Sequence, residues 1–337
     1  MTKRRLSKHQ LARISENQQK ELVGSAGLSA SDDATSLEKC NGRVISHFGK
    51  QVDVESMDPK QNGRIVRCHQ RANLPRLVTG DLVVWEEEGV DSGVVLALGA
   101  RRNLFGRPNS SGVFKPVAAN IDLVLVVFAS SPMPHVSLID RYLVAIENLQ
   151  LQAMLILNKS DLLKEEDVID MDNMLSNYEK IGYALHKVSA EDGNGIDQLE
   201  QSLAGKTTIL VGQSGVGKSS LINRLGLDAI AEVGPLSQTR DTGTHTTTTS
   251  RLFHLRSCDL IDSPGIREFG LGHIDQQQVF DGFIELKPLS GHCKFRDCSH
   301  RIEPGCAVQL AREKGDISHA RVESYFRIVD SIENPEH

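Results

Sequence analysis

Apolar and polar positions alternate with a period of two from residue 41 to about 115, and then the rhythm changes. GRVISHFGKQVDVES, GRIVRCHQR, DLVVWEEEG and DSGVVLALG are short alternating runs broken by Gly, Asp and Asn, as expected of strands joined by tight turns. Strands this short at this spacing predict a small closed β-barrel, with an OB-fold as the first choice. From 116 to 203 the pattern is α/β. Residues 121–129 (IDLVLVVFA) form a continuous apolar run of the buried parallel-strand type. A helix over 137–149 follows, with Leu138, Tyr142, Leu143 and Ile146 at helical spacing. AMLILNKSD is a second buried strand ending in a polar loop. A polar helix over 165–181, a strand in YALHKVSAE and a helix over 196–203 complete the βα units. A β-branched strand at 207–211 then runs into a glycine-rich turn and a helix carrying Leu221, Ile222 and Leu225. Two further helices are predicted near the end, over 307–313 and 319–332.

Bulk properties narrow the class. A chain of 337 residues with 39% hydrophobic and 24% charged residues reads as an ordinary multidomain soluble protein. Its longest apolar run is too short to span a bilayer, so no membrane partner is expected. The basic start lacks an apolar core, which argues against a secretory signal. Six cysteines, three scattered and three clustered, do not form a disulfide framework and suggest a reducing, cytoplasmic setting. The net charge of −6 hides an asymmetry. Residues 1–117 hold 18 Lys/Arg against 13 Asp/Glu, and the remaining 220 hold 20 against 31. A basic front on an acidic body suits an anionic partner, or is simply a solvated surface. The arm 1–40, with six basic residues and one acid in its first 20, is either a nucleic-acid-ordering arm or a solubilising tail. Arg64, Arg67, His69 and Arg71 lie along one barrel segment, and Arg101, Arg102 and Arg107 lie on its exit loop. With few aromatics nearby, backbone and shape contacts to RNA would dominate there.

The chemistry begins at TTILVGQSGVGKSSLINRL. Strand, G-x-x-x-x-G-K-S, helix is the order a phosphate-binding loop requires. Glycines let successive N–H groups turn inward, and the helix N-terminus adds its dipole. Gly212, Gln213, Ser214, Gly215, Val216, Gly217, Lys218, Ser219 and Ser220 are the expected phosphate ligands. Lys218 supplies charge to the β- and γ-phosphates, and the Ser219 hydroxyl ligates Mg²⁺. NKSD, at Asn158, Lys159, Ser160 and Asp161, selects the nucleotide. Guanine offers two donors on one edge, and the Asp161 carboxylate can accept both. Asn158 would tie loops together, with Lys159 along the base. Ser189 and Ala190, in SAE after the next strand, would cap the base. The pair of motifs points to GTP. In the Thr-rich stretch, Thr246 or Thr247 can ligate Mg²⁺, the register being ambiguous. In DSPG, Asp262 reaches Mg²⁺ through water and the Gly265 N–H senses the γ-phosphate. Near the end, Cys293, Cys298, His300 and Cys306 follow C-x4-C-x-H-x5-C, a donor set for a closed tetrahedral Zn²⁺. His292 is an alternative fourth ligand.

These motifs are those of translation-factor-class GTPases, but their order is changed. NKSD and SAE precede the phosphate loop, and no N-K-x-D follows Gly265. With an OB-like barrel in front and a Cys/His segment behind, the chain resembles the RsgA (YjeQ) family of ribosome small-subunit-dependent GTPases. The resemblance implies an OB-fold barrel (41–115), a circularly permuted α/β P-loop GTPase domain (116–275) and a mostly helical zinc domain (276–337). It further implies a monomeric GTP hydrolase using GTP/GDP, Mg²⁺ and one structural Zn²⁺. The expected partners are the small ribosomal subunit and 16S rRNA, with no DNA. Ile266 follows D-x-P-G where Ras-like enzymes place the glutamine that orients water, and the resemblance points instead to His245. Lys218 and Thr247 complete the expected catalytic set. Competing readings are a protein with purely structural GTP, a P-loop metallochaperone and a GTPase of the large subunit.

Overall fold

The computed structural model describes residues 40–61, 63–72, 74–89, 91–108, 113–131, 133–226, 250–262, 271 and 274–333. The chain divides into two compact units: residues 1–120 with 249–252, and residues 121–248 with 253–337.

In the first unit, β1 (Gly42–Phe48) turns at Gly49 and Lys50 into β2 (Gln51–Ser56), followed by β3 (Ile65–Gln70), β4 (Leu82–Glu87) and β5 (Ser92–Leu98). Antiparallel pairings join β1 to β2, β2 to β3, β4 to β5 and β1 to β4, and β3 runs parallel to β5. The strand circuit 1-2-3-5-4-1 closes a five-stranded barrel of OB topology. Period two explains the filling: Val44, Val52, Val54, Val66, Val83, Trp85 and Val95 point inward and pack with Leu77. A hairpin of β6 (Leu104–Pro108) and β7 (Phe114–Ala119) follows the barrel. Inside this unit the Thr79 hydroxyl donates to the Ser250 carbonyl at 3.0 Å, and Ser46 pairs with Arg251. The β3 face predicted to be basic presents Arg67 and His69 outward. Part of the positive charge is used internally. Arg67 pairs with Asp53, Arg64 with Glu87 at 2.9 Å, and Arg101 with the fully buried Asp81 at 2.7 Å.

The second unit is built on a parallel sheet. Its strands are β8 (Leu123–Ala129), β9 (Ala153–Asn158), β10 (Ala184–Lys187), β11 (Thr207–Val211) and β13 (Asp259–Asp262), in the order β10-β9-β8-β11-β13. Between β11 and β13 the chain forms β12 (Arg251–His254), which straddles the two units. Every residue of β8 and of β11 is buried, as expected for central strands covered on both faces. The covering helices are α1 (Val136–Asn148), α2 (Val168–Ile181), α3 (Ile196–Leu203) and α4 (Lys218–Leu225). Among the described residues three more helices follow: α5 (Gln276–Asp281), α6 (Ala307–Lys314) and α7 (His319–Glu333). Among the described residues no helix is long and apolar enough to cross a membrane.

A buried charge cluster joins the last of these helices to the sheet's own. Arg321 on α7 donates through Nε and Nη2 to Glu285 at 2.6 and 3.0 Å, and through Nη1 to Asp140 on α1. The Tyr178 hydroxyl on α2 donates to the same Asp140 at 2.7 Å. The guanidinium also lies 4.4 Å above the Phe283 ring. A lone charge buried this deeply would cost several kcal/mol, so each member depends on the others.

Candidate functional site: a nucleotide cradle and a Cys/His cluster

The site lies at the carboxyl ends of β8, β9 and β11, where open α/β sheets bind ligands. β11 ends at Val211, and Gly212 has φ 144° with its Cα pressed against β8. A side chain there would put Cβ 2.1 Å from the Val127 carbonyl oxygen. The loop rises over Gln213, Ser214 and Gly215, all exposed, and returns through buried Val216 to Gly217 in left-handed conformation at the start of α4. Lys218 curls back, its Nζ donating to the carbonyls of Gly212 at 2.7 Å and Gln213 at 2.5 Å. Ser219 and Ser220 are exposed in the first turn of α4. An anion placed here meets a helix N-terminus and a primary ammonium together.

The NKSD turn is bound to this loop by side chains. Asn158 is buried at the end of β9. Its Nδ2 donates to the Val216 carbonyl at 2.9 Å, and its Oδ1 accepts from the Ala190 N–H at 3.2 Å. One amide therefore touches the phosphate loop and the SAE loop at once. Gly217 is obligatory beside it, because a Cβ at that position would lie 2.3 Å from Asn158 Nδ2. Lys159 is left-handed at φ 58° and sends Nζ to the Gly215 carbonyl at 2.8 Å. That conformation costs a β-carbon-bearing residue roughly 1–2 kcal/mol, and Ser130 offsets it. The Ser130 hydroxyl donates to the Lys159 carbonyl at 2.5 Å, and its N–H donates to the Asn158 carbonyl at 3.2 Å. Sequence reading missed Ser130. The available signal was its place immediately after the apolar run of β8, at a strand's carboxyl end. The turn leaves Asp161 exposed, while the Ser160 N–H is fastened to the Val188 carbonyl at 3.1 Å.

The SAE loop is wound on itself. Ser189 is buried, its N–H donating to the Asn194 carbonyl at 3.0 Å and its hydroxyl accepting from the Asp192 N–H at 3.2 Å. Bonds from the Asn194 amides hold the Asp192 carboxyl below the usual carboxylate range. Arg224 of α4 packs on Gly193, so the helix after the phosphate loop also braces this loop. Asp262 ends β13, half-buried, next to the strand that feeds the phosphate loop. His245, Thr246, Thr247, Gly265 and Ile266 lie outside the described residues.

Cys293, Cys298, His300 and Cys306 converge, with their ligand atoms all within 4.8 Å of one another. Cys293 Sγ lies 3.4 Å from His300 Nδ1 and 4.0 Å from Cys306 Sγ, and Cys306 Sγ lies 3.5 Å from the same nitrogen. A tetrahedral ion with bonds of about 2.3 Å to sulfur spans sulfur–sulfur edges of about 3.8 Å, so the cluster fits zinc. Donor chemistry agrees. Burial, followed by the neighbouring sulfurs, pushes the Cys298 thiol up to about 12, and a divalent cation removes that penalty. His292 is outside the cluster, exposed, with Nδ1 3.1 Å from the Ser290 carbonyl. Glu303, unremarked in the sequence, organises the loop. Its Oε1 accepts from the Ser299 hydroxyl at 2.5 Å and N–H at 2.7 Å, which holds the carboxyl near 2.

A G-x-x-x-x-G-K-S loop, an NKSD turn tied to it from upstream and a C-terminal Cys₃His cluster are the marks of a circularly permuted P-loop GTPase with a zinc-type module. Residues 98–272 match the RsgA GTPase family. The "small ribosomal subunit biogenesis GTPase RsgA" of Pseudomonas putida is 52% identical over 292 residues, covering 86% of this chain and 85% of that one. The protein of the same name from Azotobacter vinelandii is 48% identical and covers 100% of both chains. The chain belongs to the RsgA GTPase family. Among solved structures, YjeQ from Thermotoga maritima superposes with a TM-score of 0.71 at 30% identity, covering 88% of this chain and 99% of that one. YloQ, described as a circularly permuted GTPase, gives a TM-score of 0.69 at 26% identity, covering 88% and 96%.

Proposed function

We propose that this protein binds the small ribosomal subunit through 16S rRNA, hydrolyses GTP to GDP and phosphate when docked there, and leaves a nearly mature particle. One observation carries the nucleotide part: the Asn158 amide bonded simultaneously to Val216 and to Ala190. It joins base-reading and phosphate-binding loops that the permuted chain presents in reverse order. The ribosomal part rests on the function named for relatives that cover 86% and 100% of this chain.

The roles follow from chemistry. Gly212 to Ser220 hold the phosphates, with Lys218 neutralising the β- and γ-oxygens. Asp161 accepts the guanine N1–H and N2 amino donors, Lys159 lies along the base, and Ser160, Ser189 and Ala190 close around it. Mg²⁺, which lowers the charge of the phosphates, is held by Ser219, by Thr246 or Thr247, and through water by Asp262, with the Gly265 N–H on the γ-phosphate. His245 positions the attacking water, since Ile266 has no polar atom for that task. The Cys₃His cluster binds one structural Zn²⁺, because four protein ligands leave no place for a substrate. The protein acts as a cytoplasmic monomer.

The test is GTP turnover with and without purified small subunits. A stimulated rate supports the reading, and equal rates overturn it. Replacing His245 by Ala should remove the stimulation while leaving GDP affinity near that of the parent.

A further inference from the structure

Zinc-bound histidines ordinarily owe their ring orientation to a hydrogen bond at the nitrogen that does not face the metal. Here Nδ1 of His300 faces the sulfurs, and among the described residues no hydrogen-bond partner reaches Nε2. The ring instead lies face to face with Phe280, centroids 5.0 Å apart and planes at 27°. Tyr325 meets it edge-on at 6.5 Å. The backbone needs holding as well, because His300 has φ 65°, a left-handed value uncommon outside glycine. Gln309 Nε2 secures that peptide by donating to the His300 carbonyl at 2.5 Å.

Phe280 is not part of the Cys/His loop. It belongs to α5, whose placement is dictated by the nucleotide-binding core. Asp275 and Gln278 form a reciprocal capping box at the start of that helix. Asn148 on α1 donates from Nδ2 to the Gln278 carbonyl at 2.9 Å. The end of α5 presses so closely on α1 that a Cβ at Gly282 would come within 2.9 Å of Val144 Cγ1. Phe280 itself is 3% exposed. Its ring is therefore a fixed wall, held in place by the packing of α5 on α1 of the GTPase core, against which the imidazole rests.

We propose that Phe280 is a positioning residue for the zinc ligand His300, so that the GTPase core sets the geometry and affinity of the metal site. This rests on the reading of the cluster as a zinc site. A stacked ring restricts the imidazole to rotation in its own plane, which keeps Nδ1 aimed at the ion while the three thiolates close around it.

The full chain is loaded with Zn²⁺ or Co²⁺, and two quantities are read: Zn²⁺ affinity by competition with a chromophoric chelator, and the d–d spectrum of the Co²⁺ form. Phe280→Leu should lower zinc affinity about 10-fold, at the lower end for loss of an outer-shell partner. Its Co²⁺ spectrum should move toward that of His300→Ala, as the nitrogen donor becomes loosely held. Phe280→Tyr, which preserves the stacked face, should retain both. GDP binding reports folding; if Phe280→Leu does not bind GDP, Phe280→Met is read in its place. A leucine or methionine variant indistinguishable from the parent, beside a His300→Ala variant that has lost affinity, overturns the role of Phe280. Failure of the parent to bind zinc at all overturns the metal reading itself.

Discussion

Asn158 Nδ2 and the Val216 carbonyl oxygen lie 2.9 Å apart although 58 residues separate them in the chain. In a chain whose NKSD and SAE motifs precede its glycine-rich loop, this bond and its partner to Ala190 fasten all three segments together. Asn158→Ala removes both bonds and leaves a buried carbonyl unpaired, at about 1–3 kcal/mol, together with a half-buried N–H. GDP affinity, measured by calorimetry, should fall about 10- to 100-fold. An unchanged affinity would show that the loops hold their positions without it.

Two glycines of the phosphate loop should respond in opposite ways. At Gly212 a Cβ meets the Val127 carbonyl at 2.1 Å, so Gly212→Ala must push β11 away from β8, and GDP binding should be lost with a fall in melting temperature. At Gly215 nothing lies within 4 Å of the added Cβ, and only the backbone angle of φ 84° resists substitution. Asparagine tolerates that region. Gly215→Asn should therefore fold, with GDP affinity within about threefold of the parent, because Asn visits left-handed backbone by bonding locally through its short polar side chain. Nucleotide titration and thermal melts of both variants decide the point.

Arg321→Met removes the one guanidinium that serves both Asp140 and Glu285, and leaves Asp140 with no solvent at all. Breaking one side of such a buried cluster costs roughly 3–5 kcal/mol. Adding Asp140→Asn to Arg321→Met should restore part of the loss, since the stranded charge is gone. Urea unfolding followed by far-UV circular dichroism is the appropriate readout, because the single tryptophan, Trp85, lies in the first unit. Additive losses in the double variant would count against a shared charge cluster.

The six cysteines should separate by reactivity toward iodoacetamide at pH 8. Burial pushes the Cys68 thiol up to about 11, so it stays protonated and unreactive at that pH, and burial raises Cys258 as well. Metal-bound thiolates at Cys293, Cys298 and Cys306 should be protected until a strong chelator is added. With the metal gone nothing holds the cluster closed, its thiols open to solvent, and peptide mass spectrometry should find those three labelled, with Cys68 and Cys258, packed in their cores, still intact. Equal labelling of the cluster with and without chelator would exclude a bound metal there.

Local pattern carried much of this protein. The strand at 207–211 and the helix at 196–203 appear with the bounds their periodicity predicts, because a buried strand must be continuously apolar and an amphipathic helix must repeat its apolar positions. Residue types alone singled out the glycine-rich loop, the NKSD turn and the Cys₃His set as candidates, since phosphate, guanine and zinc each demand particular donors at short spacing. The reversed motif order was legible for the same reason. Tertiary structure decided the contacts between distant segments: Ser130 beneath the Lys159 turn, Phe280 against His300, and Arg321 between Asp140 and Glu285. Serine, phenylalanine and arginine have no signature at those positions, and their roles arise only when burial withdraws water and leaves each polar group dependent on a partner far along the chain.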